Sequence, residues 1–194
     1  MRKTIAMIII AVLTLALTGT VAEGSFFDRL EGVEWSFSSG AGGWSTDMRI
    51  LPDGSFSGEY HDSEMGEIGD EYPNGTVYGC SFIGHMSMIE QVDENTWKIS
   101  VDDLKADEGQ EKETIDDGIR FVYDDPYGIS AGDEMLLYQP GTPVSGFTED
   151  MKLWAHLLGE DATPELKYWF LFSEKNESGF VGFPADTGKS PVNP

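Results

Sequence analysis

The sequence predicts a mainly β protein: an antiparallel barrel or strongly curved sheet, with one α-helix from the C-terminal half packed outside it. Three observations carry this. Alternating apolar and polar residues flank Pro52-Asp53-Gly54, with Met48 and Ile50 before the turn and Phe56 and Tyr60 after it. Alternation around Asp-Gly is the strongest short-range hairpin signal. The same alternation returns over residues 76–89 and through Trp97, Ile99 and Val101, with Asp93-Glu94-Asn95 turning the chain between them. Only one segment carries the helical period, and it comes late. Antiparallel strands joined by hairpins close into barrels, which removes their edges.

Taken in order, residues 1–22 read as a secretory signal peptide. Met1-Arg2-Lys3 is basic, the run from Ile5 to Leu17 is uncharged and mostly apolar, and Thr18-Gly19-Thr20 is small and polar. That run is short for a membrane span. Cleavage is expected after Ala22, or alternatively after Gly19. Leu17-Thr18-Gly19 also precedes the position where a bacterial lipoprotein signal places its lipidated cysteine. Thr20 stands there, so no acyl chain can attach. Residues 23–184 are expected to form one β-rich domain, and 185–194 a disordered tail.

Within that domain, Phe26 to Leu30 suit a single helical turn before Gly32, and residues 33–38 the first strand. Ser39-Gly40-Ala41-Gly42-Gly43 connects to the opening hairpin. Residues 63–75 are rich in Gly, Glu, Asp and Pro without a period, which marks a long loop suited to a lid or binding role. The strand over 76–89 places Tyr78, Cys80, Phe82, Met86 and Met88 on one face, with a bend at Gly84. Residues 102–117 are charged, without a stripe, and read as strand end and loop. Strands are expected at 118–123 and 134–138. Thr148 caps the helix, Glu149 and Asp150 suit its positive end, and Met151, Trp154, Leu157 and Leu158 form its stripe before Gly159. Residues 167–172 are apolar on both faces, as in a strand covered by core on one side and helix on the other. A last strand is expected at 180–183.

The chain has 12 basic and 35 acidic residues, a formal charge of −23. Such a charge favours solubility and repels nucleic acid, so no nucleic-acid binding is expected. The lone cysteine, Cys80, permits no internal disulfide, so the core must hold the fold. Secretion, a soluble monomeric state and no stable membrane anchor are the expectations, an uncleaved signal being the exception.

Gly32-Val33-Glu34-Trp35, entered from a helical turn, resembles the first strand of lipocalin-like barrels. Their Gly-x-Trp spacing is one residue shorter than the spacing here. A wider resemblance rests on Gly-Gly-Trp-Ser-Thr (42–46), Asp-Gly-Ser-Phe-Ser-Gly (53–58), Tyr-His-Asp-Ser-Glu-Met-Gly (60–66), Tyr-Pro-Asn-Gly-Thr-Val-Tyr (72–78) and Leu-Leu-Tyr-Gln-Pro-Gly-Thr-Pro-Val-Ser (136–145). These look like an uncharacterised domain of secreted proteins and lipoproteins from Gram-positive anaerobic bacteria. That resemblance implies an extracellular address and brings no activity or catalytic residue.

The motifs of catalysis fail individually. Gly54-Ser55-Phe56-Ser57-Gly58 has Phe at the centre of the nucleophile-elbow pattern and lies in a hairpin. His61, His85 and His156 fall outside the apolar faces, and no His-x-x-x-His or Cys-x-x-Cys spacing supports zinc. The glycines of 39–43 lack the lysine and helix of a phosphate loop. Cys80 alternates with Tyr78 and Phe82 as a small core residue. The sequence therefore predicts a non-enzymatic extracellular binding module without metal or cofactor. It would take a small ligand or protein partner in the barrel or at the 63–75 loop. Trp44, Tyr60, Tyr78, Phe82 and Met86 are the candidate ligand-binding residues. The alternative is a solid-core interaction domain without a pocket, and the third reading is a hydrolase.

Overall fold

The computed structural model describes residues 25–107, 112–159 and 162–185; the signal at 1–22 and the tail from 186 lie outside the described residues. A 3-10 turn, Phe26–Leu30, is followed by β1 (Val33–Ser38), β2 (Trp44–Ile50), β3 (Ser55–Glu64), β4 (Thr76–Gln91) and β5 (Thr96–Ala106). Then come β6 (Glu113–Asp116), β7 (Ile119–Tyr123), β8 (Glu134–Tyr138), a second 3-10 turn at Val144–Gly146, and α1 (Glu149–Trp154). The strands β9 (Trp169–Ser173) and β10 (Ser178–Pro184) complete the sheet. Eight of them, β1-β2-β3-β4-β5-β8-β9-β10, close on themselves in antiparallel register, since β3 also pairs with β4 and β10 with β1. The predicted barrel and its outside helix are what forms.

Alternation along these strands turns one set of side chains inward, and they fill the barrel. Trp35, Phe37, Phe82, Phe180, Met86, Ile99, Met135, Leu137 and Leu171 are fully buried. Two glycines make this packing possible. Gly58 faces Phe82 across the β3–β4 ladder and Gly84 faces Phe56. A Cβ on either would lie 2.4 Å from the ring opposite, and as close to a backbone carbonyl. Each phenylalanine thus lies over a neighbour's glycine, and the two rings meet edge to face at 6.2 Å. One barrel end is stoppered by the N-terminal turn, where Phe27 and Leu30 are buried and Phe26 packs on Trp97. The other is stoppered by the β7–β8 connection and by an aromatic cluster of Phe37, Trp44, Tyr127 and Trp154.

A second core lies outside the wall. Phe170, Phe172 and Val181 point outward and are covered by Val144, Phe147, Met151, Leu157 and Leu166. This is the two-faced strand the sequence predicts at 167–172. Thr148 caps α1 by accepting from Met151 N at 3.2 Å. The helix is shorter than the stripe suggests, because His156 takes a φ of +55° and turns the chain. Leu157 still reaches the core, while Leu158 is exposed.

Three other expectations are corrected. Met88 is 44% exposed although its register partner Ile99 is buried, because it lies in the exposed last stretch of β4, residues 88–91. The β4–β5 register shifts between His85 and Met86 and again between Met88 and Glu90. Within 102–117, residues 113–116 form β6, paired with β7 through a hairpin whose corner residues Asp117 and Gly118 have φ of +48° and +77°. Positive φ at both central positions is the type I′ turn that Asp-Gly favours. Finally, Ala185, assigned to the tail, is tied by its N–H to the Gly32 carbonyl at 2.6 Å.

At the bulge, His85 occupies both ring nitrogens. Nδ1 lies 3.0 Å from Asp102 Oδ2 and Nε2 3.0 Å from the Asp53 carbonyl, while the Ser87 hydroxyl donates to Asp102. Two acceptors favour the doubly protonated imidazolium, so the Asp102 hydrogen bond raises the His85 pKa above its ordinary 6.5. A raised native pKa contributes stability that is complete below pH 6.5 and is lost as pH climbs through the native midpoint. An NMR titration should place the His85 midpoint above 6.5, and Asp102→Asn should lower it. A wild-type midpoint at or below 6.5 would refute this ion pair.

Candidate functional site

The long strand β4 positions one open concave surface. Its second half pairs with β5 from Phe82 onward, whereas its first half, Thr76 to Gly79, pairs in parallel with β7. Between them the sheet forks. The Asp107 N–H donates to the Ser81 carbonyl and the Asp124 N–H to the Gly79 carbonyl, so both departing strands stay tied to β4. The β6–β7 hairpin thereby stands outside the barrel as a flange.

The loop at 63–75 locks that flange. Arg120 pairs with Glu67, donates through Nε to Thr76 Oγ1 at 3.1 Å, and lies 4.5 Å over the Tyr72 ring. Thr76 in turn donates to the Glu67 carbonyl at 2.9 Å, and Tyr78 donates its phenol to Glu67 Oε2 at 2.6 Å. The Tyr78 hydrogen bond, then Arg120, holds the Glu67 carboxyl below its usual range. Asn74 bonds the flange turn through its backbone N–H to the Gly118 carbonyl and its amide to the Asp117 carbonyl. The loop expected as a lid or binding loop is tied down as a clasp.

Between flange and barrel wall lies a groove of about 550 Å³. His61, Val77 and Gly79 line it from the wall, and Phe121 and Tyr123, their neighbours across the β4–β7 pairing, line it with Lys112 from the flange. A Cβ on Gly79 would sit 2.3 Å from the Tyr60 carbonyl, so the wall there must be bare backbone. Phe121 is 40% exposed. Cys80 borders the groove, but desolvation, reinforced by Asp125 and Asp124, pushes its thiol up to about 11. Those surroundings favour the protonated thiol. His61 Nδ1 lies 3.2 Å from the Ser45 hydroxyl, which donates to Asp47 at 2.5 Å. Serine, not histidine, is therefore the middle member, the wrong order for a relay that activates serine.

A second hollow, about 440 Å³, lies against the outer core. Leu157, Leu166 and Phe170 line its floor, and His156, Lys167 and Tyr168 its rim. Like the groove, it is outside the barrel wall.

The five residues singled out from sequence separate into three places. Tyr78 borders the groove, whereas Tyr60 is buried in the barrel core and meets the groove wall at Gly79 through its backbone carbonyl. Burial pushes the Tyr60 phenol up to about 12. Phe82 and Met86 pack inside the barrel, 2% and 0% exposed, where they serve its core. Trp44 closes the barrel end, 4.8 Å from Phe37 and 5.2 Å from Tyr127 between ring centres. The sequence reading missed Phe121, Tyr123 and Lys112. Asp117-Gly118 followed by Ile119-Arg120-Phe121-Val122-Tyr123 was the signal for the flange hairpin. No family model, curated protein or solved structure matches the chain.

Proposed function

We propose that this protein is a non-enzymatic extracellular interaction module: a solid barrel that binds a partner polypeptide on its outer surface, at the flange groove. The observation that carries this reading is the contrast between an interior occupied by the protein's own side chains and a groove held open by the Glu67–Arg120 clasp. A barrel of eight strands can enclose one small ligand or be filled by side chains. Trp35, Phe82 and Met86 favour the filled state. A wide, open groove with an exposed aromatic suits an extended segment better than an engulfed small molecule.

Two measurements test it. Titration with a fluorescent fatty acid should give no saturable change in tryptophan emission. A photo-crosslinker at position 121 should capture an extracellular polypeptide that the same group at the exposed turn residue Leu51 does not. Stoichiometric fatty-acid uptake, or capture from position 51 and not 121, would overturn the proposal.

A further inference from the structure

Closing a barrel pairs every wall strand on both sides, but the flange stands outside that closure. Among the described residues, β6 ends the sheet order with β7 as its single neighbour. The Tyr123 N–H donates to the Lys112 carbonyl, which makes 112 and 123 a hydrogen-bonded pair. Antiparallel pairs alternate, so in the register of β6 and β7 the residues Thr114 and Asp116 direct their backbone groups to β7. The backbone N–H and C=O of Glu113 and Ile115 then point away from the sheet, and all of β6 is exposed. Natural sheets blunt such edges with short strands, charge, proline or a covering element. β6 is short and acidic and holds no proline, so its edge is guarded by charge against strands of its own sign.

Resting on the reading of the flange as the binding surface, we infer that the β6 edge receives an extended basic segment of a partner protein as an added β-strand. The charge of the edge selects the occupant. Glu113 and Asp116 flank Thr114 and Ile115, with Asp117 at the corner, in a chain of formal charge −23. A second copy adding through the same edge would set these carboxylates against one another, and like charges across a ladder destabilise it. A strand whose lysines or arginines lie on the Glu113 face meets that carboxylate, and its end nears Asp116 and Asp117 at the corner. Its main chain bonds Glu113 and Ile115, while its apolar side chains on one face reach the exposed Phe121. Phe121 pairs with Thr114, so the two share a face.

The probes are blocked octapeptides read by fluorescence anisotropy with the mature chain. One alternates lysine with valine, one lysine with proline at the same charge, and one glutamate with valine. The lysine–valine peptide should bind at least about tenfold tighter than lysine–proline, which cannot complete a ladder. Ile115→Pro removes an edge N–H that has no ladder partner, so it should leave thermal unfolding unchanged and abolish that tenfold gap. Glu113→Lys with Asp116→Lys should shift preference to glutamate–valine. Equal binding of both lysine peptides would reduce the attraction to diffuse charge and overturn strand addition, as would a gap that survives Ile115→Pro. Polypeptide capture from position 121 with no peptide gap would remove strand addition and leave the groove reading intact. A gap without capture would do the reverse.

Discussion

Truncating Trp35 to alanine is expected to destabilise the protein by about 3–5 kcal/mol, the range for deleting a large aromatic from a packed core. For a domain of this size that lowers the melting temperature by roughly 6–20 °C. Trp35 is 1% exposed at the centre of β1, paired with Met48 on one side and Gly182 on the other. A Cβ on Gly182 would sit 3.1 Å from the indole, so the ring uses space that glycine leaves. Its Nε1 hydrogen has no partner, which sets up an internal control. Phenylalanine fills most of the same volume and removes a buried donor that costs about 1–3 kcal/mol unpaired. Trp35→Phe should therefore cost about 1 kcal/mol or less. Equal losses in the two variants would mean that the indole hydrogen is satisfied. The alanine variant should also gain an apolar cavity and be stabilised by benzene, as dry cavities are. Stabilisation of the wild type by benzene would show that the interior is not filled.

Removing Asp133 should cost about 3 kcal/mol, from the orphaned donors it leaves behind. Its carboxylate is fully buried and takes three donors: Ser130 N at 2.7 Å, Lys175 Nζ at 2.7 Å and Asn176 Nδ2 at 2.6 Å. It fixes the β7–β8 connection against the β9–β10 turn. That connection stoppers the barrel through Ile129, and through carbonyls of Tyr127 and Gly128 that accept from Thr46 and Ser178. Asp133→Ala should speed amide exchange across 124–132 before the rest of the barrel, since the plug loses its anchor. Asn176→Ala removes one donor of three and should cost only about 1 kcal/mol. Denaturant titration of both variants gives the comparison. If Asn176→Ala cost as much as Asp133→Ala, the carboxylate would not be the centre of the clasp.

The wall of the barrel was legible because its signals are local. Period-two alternation at Met48–Ile50 and Phe56–Tyr60, and the Thr148 cap, act within a few residues of themselves. The structure returns each where it was expected. The Asp117-Gly118 turn is equally local, but the acidic segment before it carries no apolar stripe, and β6 was hidden by that charge.

Other features depend on residues distant in sequence and were decided only by the folded chain. Arg120 meets Glu67 and Thr76 because β7 pairs in parallel with the start of β4, a pairing that no turn motif announces. Trp44 and Tyr127 join one aromatic cluster from opposite halves of the sequence. Whether Phe82 and Met86 line a void or fill one depends on volumes contributed by all eight walls and both stoppers together. The sequence by itself determined an antiparallel, acidic, cysteine-poor β chain and which side chains alternate along each strand. The tertiary structure decided that large buried side chains occupy the barrel interior and that a flange stands outside it. Alternation specifies the facing of a side chain, while packing and pairing specify what it meets there.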